Sequence, residues 1–341
     1  MTALPSAPGE TPKKRNLLTY FQKYREFSVV AVLAIICIIL YFSPARGTFY
    51  TSGNMQNLML QIALLSSFAI GETIVIISGG IDLSLGSLVG FGGMVLAWTA
   101  VALNAHLYIG AAMGLAILAT LVVTYLVGAA HASLIHRLRL PPFVVTLASL
   151  TIFRSQALLM NKQLPISIAG FPFLGYLANG SYLGIPIPVY IVAVIAVAMH
   201  LILSYTKVGR YVYSVGSNEQ ATQLSGVNIS RVKLFAYGAS AVLAGVAGIL
   251  YAGYGGQGDP QSGGGYELDA VAAAVIGGAN LRGGQGTIAG TLLGACLLKV
   301  ILSGINLTIS NPSLWEGSVV GGVLLLAVLV SAFQQRKQKY S

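Results

Sequence analysis

The sequence predicts an all-α, polytopic helical membrane protein with about ten transmembrane helices and both termini in the cytoplasm. Three observations carry that prediction. Hydrophobic residues make up 55% of the 341 and charged residues only 8%, whereas a soluble domain carries about 25% charged residues. The apolar residues fall in runs of helical length, which excludes an outer-membrane barrel of short alternating strands. The basic residues cluster beside those runs: Lys13, Lys14, Arg15, Lys23 and Arg25; Arg137 and Arg139; Lys207 and Arg210; Arg231 and Lys233; Arg336, Lys337 and Lys339. Such clusters mark cytoplasmic loops, so the net charge of +10 sets orientation and implies no nucleic acid.

A bilayer core of about 30 Å needs roughly 20 helical residues. That ruler places spans at about 27–42, 55–78, 85–103, 109–134, 141–160, 186–204, 233–252, 268–281, 286–308 and 315–333. An even number returns the chain to its starting side, and the basic clusters all land there. Residues 1–26 then form a cytoplasmic N-terminal segment, 27–333 the membrane domain and 334–341 a cytoplasmic tail. The first apolar run has no A-x-A site behind it, so it reads as an uncleaved anchor. Cys37 and Cys296 lie inside apolar runs and read as small buried hydrophobes, not as a disulfide or metal pair. The outer connections are polar, poor in charge and too small to be domains.

The 41 glycines let helix backbones approach closely in lipid, but glycine pairs also invite a helix to break. Gly79 and Gly80 open "GGIDLSLGS", where Asp82 is expected to cap the next helix and Ser84 follows it. In the second half "GYELDAVAAAVIGG" offers Glu267 or Asp269 as a cap before another glycine pair. Shortened helices at matching places in two halves are a pointer to a transporter's internal repeat. Glu72 is the most isolated acid in a span, and ionisable groups at such depth face protein or water. Glu72, Gly79, Gly80, Asp82, Ser84, Glu267 and Asp269 are thus candidates for a helix break or a polar pathway. Arg154 is expected to pair with an acid, and Lys299 to pair or to snorkel.

The one sizeable inner connection spans residues 205–232. Ser217 followed by Gln220 fits a capping box, and Gly226 suits a left-handed helix stop. Between them a helix of about two turns is expected over 218–225, with Ala221 and Leu224 as a small apolar face. Asn228 or Ser230 is placed to cap the next span. A loop this ordered is read as a docking element for a cytosolic protein.

At this point the chain resembles a family. The segments "GGIDLSLGSLVGFGGM", "VGRYVYSVGSNEQATQLSGVNISRVKLFAYGASAVLAGVAGIL" and "GGYELDAVAAAVIGGANLRGGQGTIAGTLLGA" are similar to the ribose-type sugar permeases of bacterial ABC importers. The likeness runs over about 27–330 and includes "LPPFVVTL" behind a basic inner turn. It implies a bacterial inner-membrane permease for a monosaccharide, a ribose-like pentose or a hexose. It also implies a second permease subunit, identical or different, a periplasmic sugar-binding protein and a cytosolic ABC ATPase that holds Mg-ATP. The inner loop is then the ATPase-coupling region, with Gly209, Arg210, Ser217, Asn218, Glu219, Gln220, Ala221, Leu224 and Gly226 as its residues. The glycine-rich outer loop "YAGYGGQGDPQSGGGYELD" is where the chain departs from the pattern.

The residues agree with a membrane subunit that has no motor of its own. No G-x-x-x-x-G-K-[ST] occurs; "GGQGTIAGT" has the glycines without the lysine. No cofactor and no catalytic residue is therefore expected in this chain. A neutral cargo rich in hydroxyls suits a pathway of few charges, and no deep site is expected. The alternatives are a nucleoside, an autoinducer furanose or a branched-chain amino acid as cargo of the same machinery, and an ion-coupled secondary transporter. A membrane enzyme lacks any motif.

Overall fold

The computed structural model describes residues 25–339, with side chains over 26–329. Lys13, Lys14, Arg15 and Lys23 lie outside the described residues, and so do the side chains of Arg25, Arg336, Lys337 and Lys339. Within them the chain forms α1 (Arg25–Phe42), α2 (Arg46–Phe49), α3 (Ser52–Ile77), α4 (Leu85–Asn104), α5 (Ile109–Arg137) and α6 (Pro142–Met160). The middle carries β1 (Ile166–Ser167), α7 (Pro172–Asn179), β2 (Ser181–Tyr182), β3 (Ile185–Pro186), α8 (Ile187–Tyr205), α9 (Lys207–Ser217) and α10 (Glu219–Leu224). Last come α11 (Ile229–Gly255), β4 (Gln257–Gly258), α12 (Tyr266–Ile276), α13 (Ile288–Thr308) and α14 (Ser313–Lys339).

Seven helices, α3, α4, α5, α6, α8, α11 and α13, are long and apolar enough to cross a membrane; α1 and α14 carry shorter apolar stretches. Each span read from the sequence coincides with a helix, with one correction. The span expected at 268–281 is only α12, 11 residues long. At 1.5 Å per residue it reaches about 16 Å, roughly half the hydrocarbon thickness. It stops at Gly277, and Gly278 turns the chain with a φ of 98°.

The centre of the bundle is α11, packed against α3, α4 and α5. Burial separates inner from outer helices: 89% of the apolar window of α3 is covered, against 22% for α5, α6 and α8. The covered helices touch backbone to backbone where the residues are small. A Cβ on Gly71 would stand 2.7 Å from the Cα of Ser240, and one on Gly248 would stand 2.6 Å from the carbonyl of Val89. In lipid, where no hydrophobic effect holds helices together, such close packing supplies the attraction.

Two irregular segments run inside this bundle. Residues 78–84 follow α3: Ser78 bonds to Lys233 near the start of α11 and Asp82 bonds to Ser240 further along it. Seven residues of helix separate those contacts by about 10 Å, so the chain climbs back into the bilayer before α4 begins. The second segment, 256–265, descends beside α4, with Gly258 against Gly93 and Ala97 and then Gly263 against Gly86. Non-helical backbone at membrane depth requires this protein cover. Strand pairing of Ile166 with Gly258 holds its upper end. Arg154 fastens its lower part, donating at 2.7 Å to the carbonyls of both Pro260 and Ser262 and at 3.3 Å to that of Gly86. The acid expected to bind Arg154 is thus replaced by backbone carbonyls, because the descending turn points them at its guanidinium.

Candidate functional site

The inner connection folds as a rigid corner. Thr206 caps α9, its hydroxyl accepting from the Gly209 amide at 3.2 Å. Gly209, Val212 and Val215 are buried on one face while Arg210, Tyr211 and Ser214 are exposed. The expected helix 218–225 is present as α10, two residues shorter, and its cap differs from the expectation. Ser217 belongs to the end of α9, where its hydroxyl donates to the Tyr213 carbonyl. Asn218 instead accepts from the Ala221 amide at 2.9 Å, since its extended backbone aims the short amide at the free end of the helix. Gly226 ends the helix with a φ of 82°, and Asn228 caps α11. Thr222 faces inward, whereas Gln220, Ala221 and Leu224 face solvent, Leu224 with 90% of its surface exposed.

This corner is tied to the ends of two membrane helices. Gly216 lies where a Cβ would come within 2.6 Å of the Gly284 amide, and that amide donates to the Ile77 carbonyl at 2.9 Å. Tyr213 donates from its phenol to the Gly286 carbonyl at 2.8 Å; burial raises its pKa above the ordinary value, which keeps it a donor. Lys233, only 3% exposed, donates to the Ser78 carbonyl at 2.9 Å and meets the Glu219 carboxylate at 3.3 Å. Lys233 counted as one of the inner-surface charges in the sequence; its head is turned inward instead. The end of α3, the 277–287 loop and the α9–α10 corner therefore form one connected unit.

Glu72, Asp82 and Ser84 come together deeper in the bundle, all with no exposed surface. Asp82 does not cap α4. Its carboxylate accepts from the Ser84 amide at 3.1 Å, the Ser84 hydroxyl at 2.6 Å and the Ser240 hydroxyl at 3.0 Å. Its own amide donates to both oxygens of Glu72 at 3.3 and 3.2 Å. The two acids thus fold and hold the re-entrant turn. Gly79 has a φ of 81° and faces Gly216; Gly80 packs against the phenol of the buried Tyr237.

The remaining candidates lie elsewhere. Glu267 packs against Gly86, and Asp269 pairs with Lys299 at 3.1 Å. Neither caps α12, whose first turn is preceded by Gly265 in the left-handed region. Where α3, α13 and α14 meet, a cavity of about 310 Å³ is lined by polar side chains, among them Lys299, and by three leucines. Among the described residues no group of three His, Cys, Asp or Glu is placed to hold a metal ion. Sequence reasoning missed Ser240, Tyr213 and this cavity. Only the cavity had a visible signal, the amide residues Asn54, Asn57 and Gln61 spaced along one helical face.

Comparison with known proteins gives a consistent result. The family described as "Branched-chain amino acid transport system / permease component" matches residues 54–329. The ribose import permease protein RbsC of Escherichia coli K12 is 34% identical over 330 residues, covering 96% of this chain and 99% of its own. RbsC of Bacillus subtilis is 34% identical over 299 residues, covering 87% and 90%. The xylose transport system permease protein XylH of E. coli K12 is 29% identical over 370 residues, covering 90% and 92%. No solved structure matches.

Proposed function

Because the chain belongs to the branched-chain amino acid transport system / permease component family, we propose that it is the membrane subunit of an ABC importer that carries a monosaccharide into the cytoplasm. The chain is a multi-pass protein of the bacterial inner membrane. In this reading it has ten membrane segments, α12 being a half-crossing, with both termini cytoplasmic. It works as a pair with a second permease subunit, identical or different. A periplasmic binding protein delivers the sugar and a separate cytosolic ATPase binds Mg-ATP. Ribose and xylose permeases are among the relatives that match over nearly the full length, which favours a sugar over the amino acid of the family description.

One observation carries the coupling half of this reading: Leu224 projects from α10 into solvent, on a corner whose other side is bonded to the ends of α3 and the 277–287 loop. A push on α10 is therefore transmitted to the end of α3 and to the 277–287 loop at once. The spans then rock between outward and inward openings, and no covalent chemistry takes place in this chain. Uptake into proteoliposomes of the complete transporter tests it. Replacing 218–225 with a flexible linker of equal length should abolish ATP-driven uptake while the chain remains folded; unchanged uptake refutes the coupling role.

A further inference from the structure

We propose that the outward cavity between α3, α13 and α14 is the first sugar-contacting site of the translocation path, and that its amide side chains are the contacts. The proposal rests on the monosaccharide reading above and supplies the residues that reading leaves unnamed. The cavity holds about 310 Å³, within the range of small-molecule sites.

Its position follows from the fold. The C-terminal end of α3 and the start of α13 adjoin the inner corner, so the opposite ends face outward. Asn54, Asn57 and Gln61 occupy the outer turns of α3, and Lys299, Ser303 and Asn306 the outer turns of α13. Spacings of three and four residues put each trio on one face of its helix, and the two faces look at one another across the cavity. Amides and hydroxyls turned toward hydrocarbon would be costly, so a polar face at this place belongs to a water-filled space.

The chemistry selects the cargo class. Among the described residues, the side chains of Asn57, Gln61, Ser303 and Asn306 are committed to no protein hydrogen bond. An amide offers both donors and acceptors and a hydroxyl offers one donor with two lone pairs, which matches the ring hydroxyls of a sugar. Charge is scarce: Lys299 is neutralised by Asp269 at 3.1 Å, each side chain only 14% exposed, and Glu316 is exposed on α14. An amino acid would need a free cation and a free anion for its two termini. A neutral polyol needs neither.

The complete transporter, with its ATPase and binding protein, tests this in proteoliposomes with labelled D-ribose, D-xylose, D-glucose, D-galactose and L-leucine as probes. If the unaltered transporter takes up none of them, or leucine alone, the monosaccharide reading fails and the proposal with it. If a sugar enters, Asn57→Leu and Gln61→Leu should each lower uptake about fivefold, the equivalent of one net hydrogen bond, while ATP hydrolysis persists. Uptake unchanged in both and in their double variant overturns the site while leaving the function standing. A second readout does not depend on those substitutions folding well. In a chain with Cys37 and Cys296 replaced by Ala, Ser303→Cys should be labelled by a charged thiol reagent from outside and uptake blocked. Leu325→Cys, on an exposed apolar position, should not be. Failure of Ser303→Cys to react overturns the proposal.

Discussion

Lys233 donates a hydrogen bond to the carbonyl of Ser78 at 2.9 Å across 155 residues of sequence. The contact joins the second turn of the central helix to the point where α3 gives way to the re-entrant turn. Glu219, at 3.3 Å from the same ammonium, adds α10 to the junction. Glu219 is half exposed while Lys233 is nearly covered, so the ion pair itself is screened by water and contributes little. The bond to Ser78 matters more, because a carbonyl in a covered place has no other partner.

Lys233→Met keeps most of the apolar stem and removes the ammonium, and with it both the bond to Ser78 and the weak, half-exposed pair with Glu219. Loss of a buried partner costs about 1–3 kcal/mol. The expected result is a lower melting temperature and, in the reconstituted transporter, ATP hydrolysis that continues while sugar uptake falls. Glu219→Gln, by contrast, should leave stability within about 0.5 kcal/mol of the parent. Equal effects of the two substitutions would contradict the assignment of the bond to Ser78 as the stronger tie.

The exposed tip of the corner makes the opposite prediction. Leu224→Asp changes a side chain that touches almost nothing in this chain, so thermal stability should not move. If the ATPase docks here, burying an unpaired carboxylate in the contact should reduce uptake at least tenfold and weaken co-purification of the ATPase. Normal uptake would show that the partner contacts another part of the inner surface.

The re-entrant turn separates the roles of its two acids. Glu72→Gln retains an acceptor for the Asp82 amide and should preserve folding and transport. Glu72→Ala leaves that amide unpaired beside a small void and should lower the yield of folded protein. Asp82→Leu removes the acceptor of three hydrogen bonds at once and should not fold. Detergent-stable monodisperse protein from Asp82→Leu would refute the structural role.

How far these features were legible in the sequence depends on how local their causes are. The helices were legible because an apolar run of membrane length can do little else in lipid, and Gly226 because a left-handed stop follows from glycine itself. Asp82 was misread as a cap since an acid just before an apolar run suits one; its bonds to Ser84 and to Ser240, 158 residues away, occupy it instead. Lys233 was counted with the surface charges because adjacency in sequence does not reveal that one side of α11 faces Ser78. The Ser217 cap failed by one residue, as α9 continues through it. The polar stripes of α3 and α13 each had the right spacing, but nothing local shows that the two face one another.

The last prediction concerns Gly216, where the corner and the membrane helices are closest. Its φ is not in the left-handed region, so the constraint is one of space and not of backbone conformation. A Cβ there would stand 2.6 Å from the Gly284 amide and press on the Ile77 carbonyl, the two groups that bond to each other at 2.9 Å. Neither is a flexible side chain that can swing aside. Gly216→Ala should therefore part the corner from α3 and cost about 1–3 kcal/mol by overpacking. Gly226→Ala is strained at its own φ but meets nothing within 4 Å, so it should cost about 1 kcal/mol or somewhat more and leave the corner attached. Amide hydrogen exchange distinguishes the two: the Gly284 amide, bonded to the Ile77 carbonyl at 2.9 Å, should stay protected beside Gly226→Ala and exchange faster beside Gly216→Ala. Equal protection in both backgrounds would mean that Gly216 is not what holds the corner against α3.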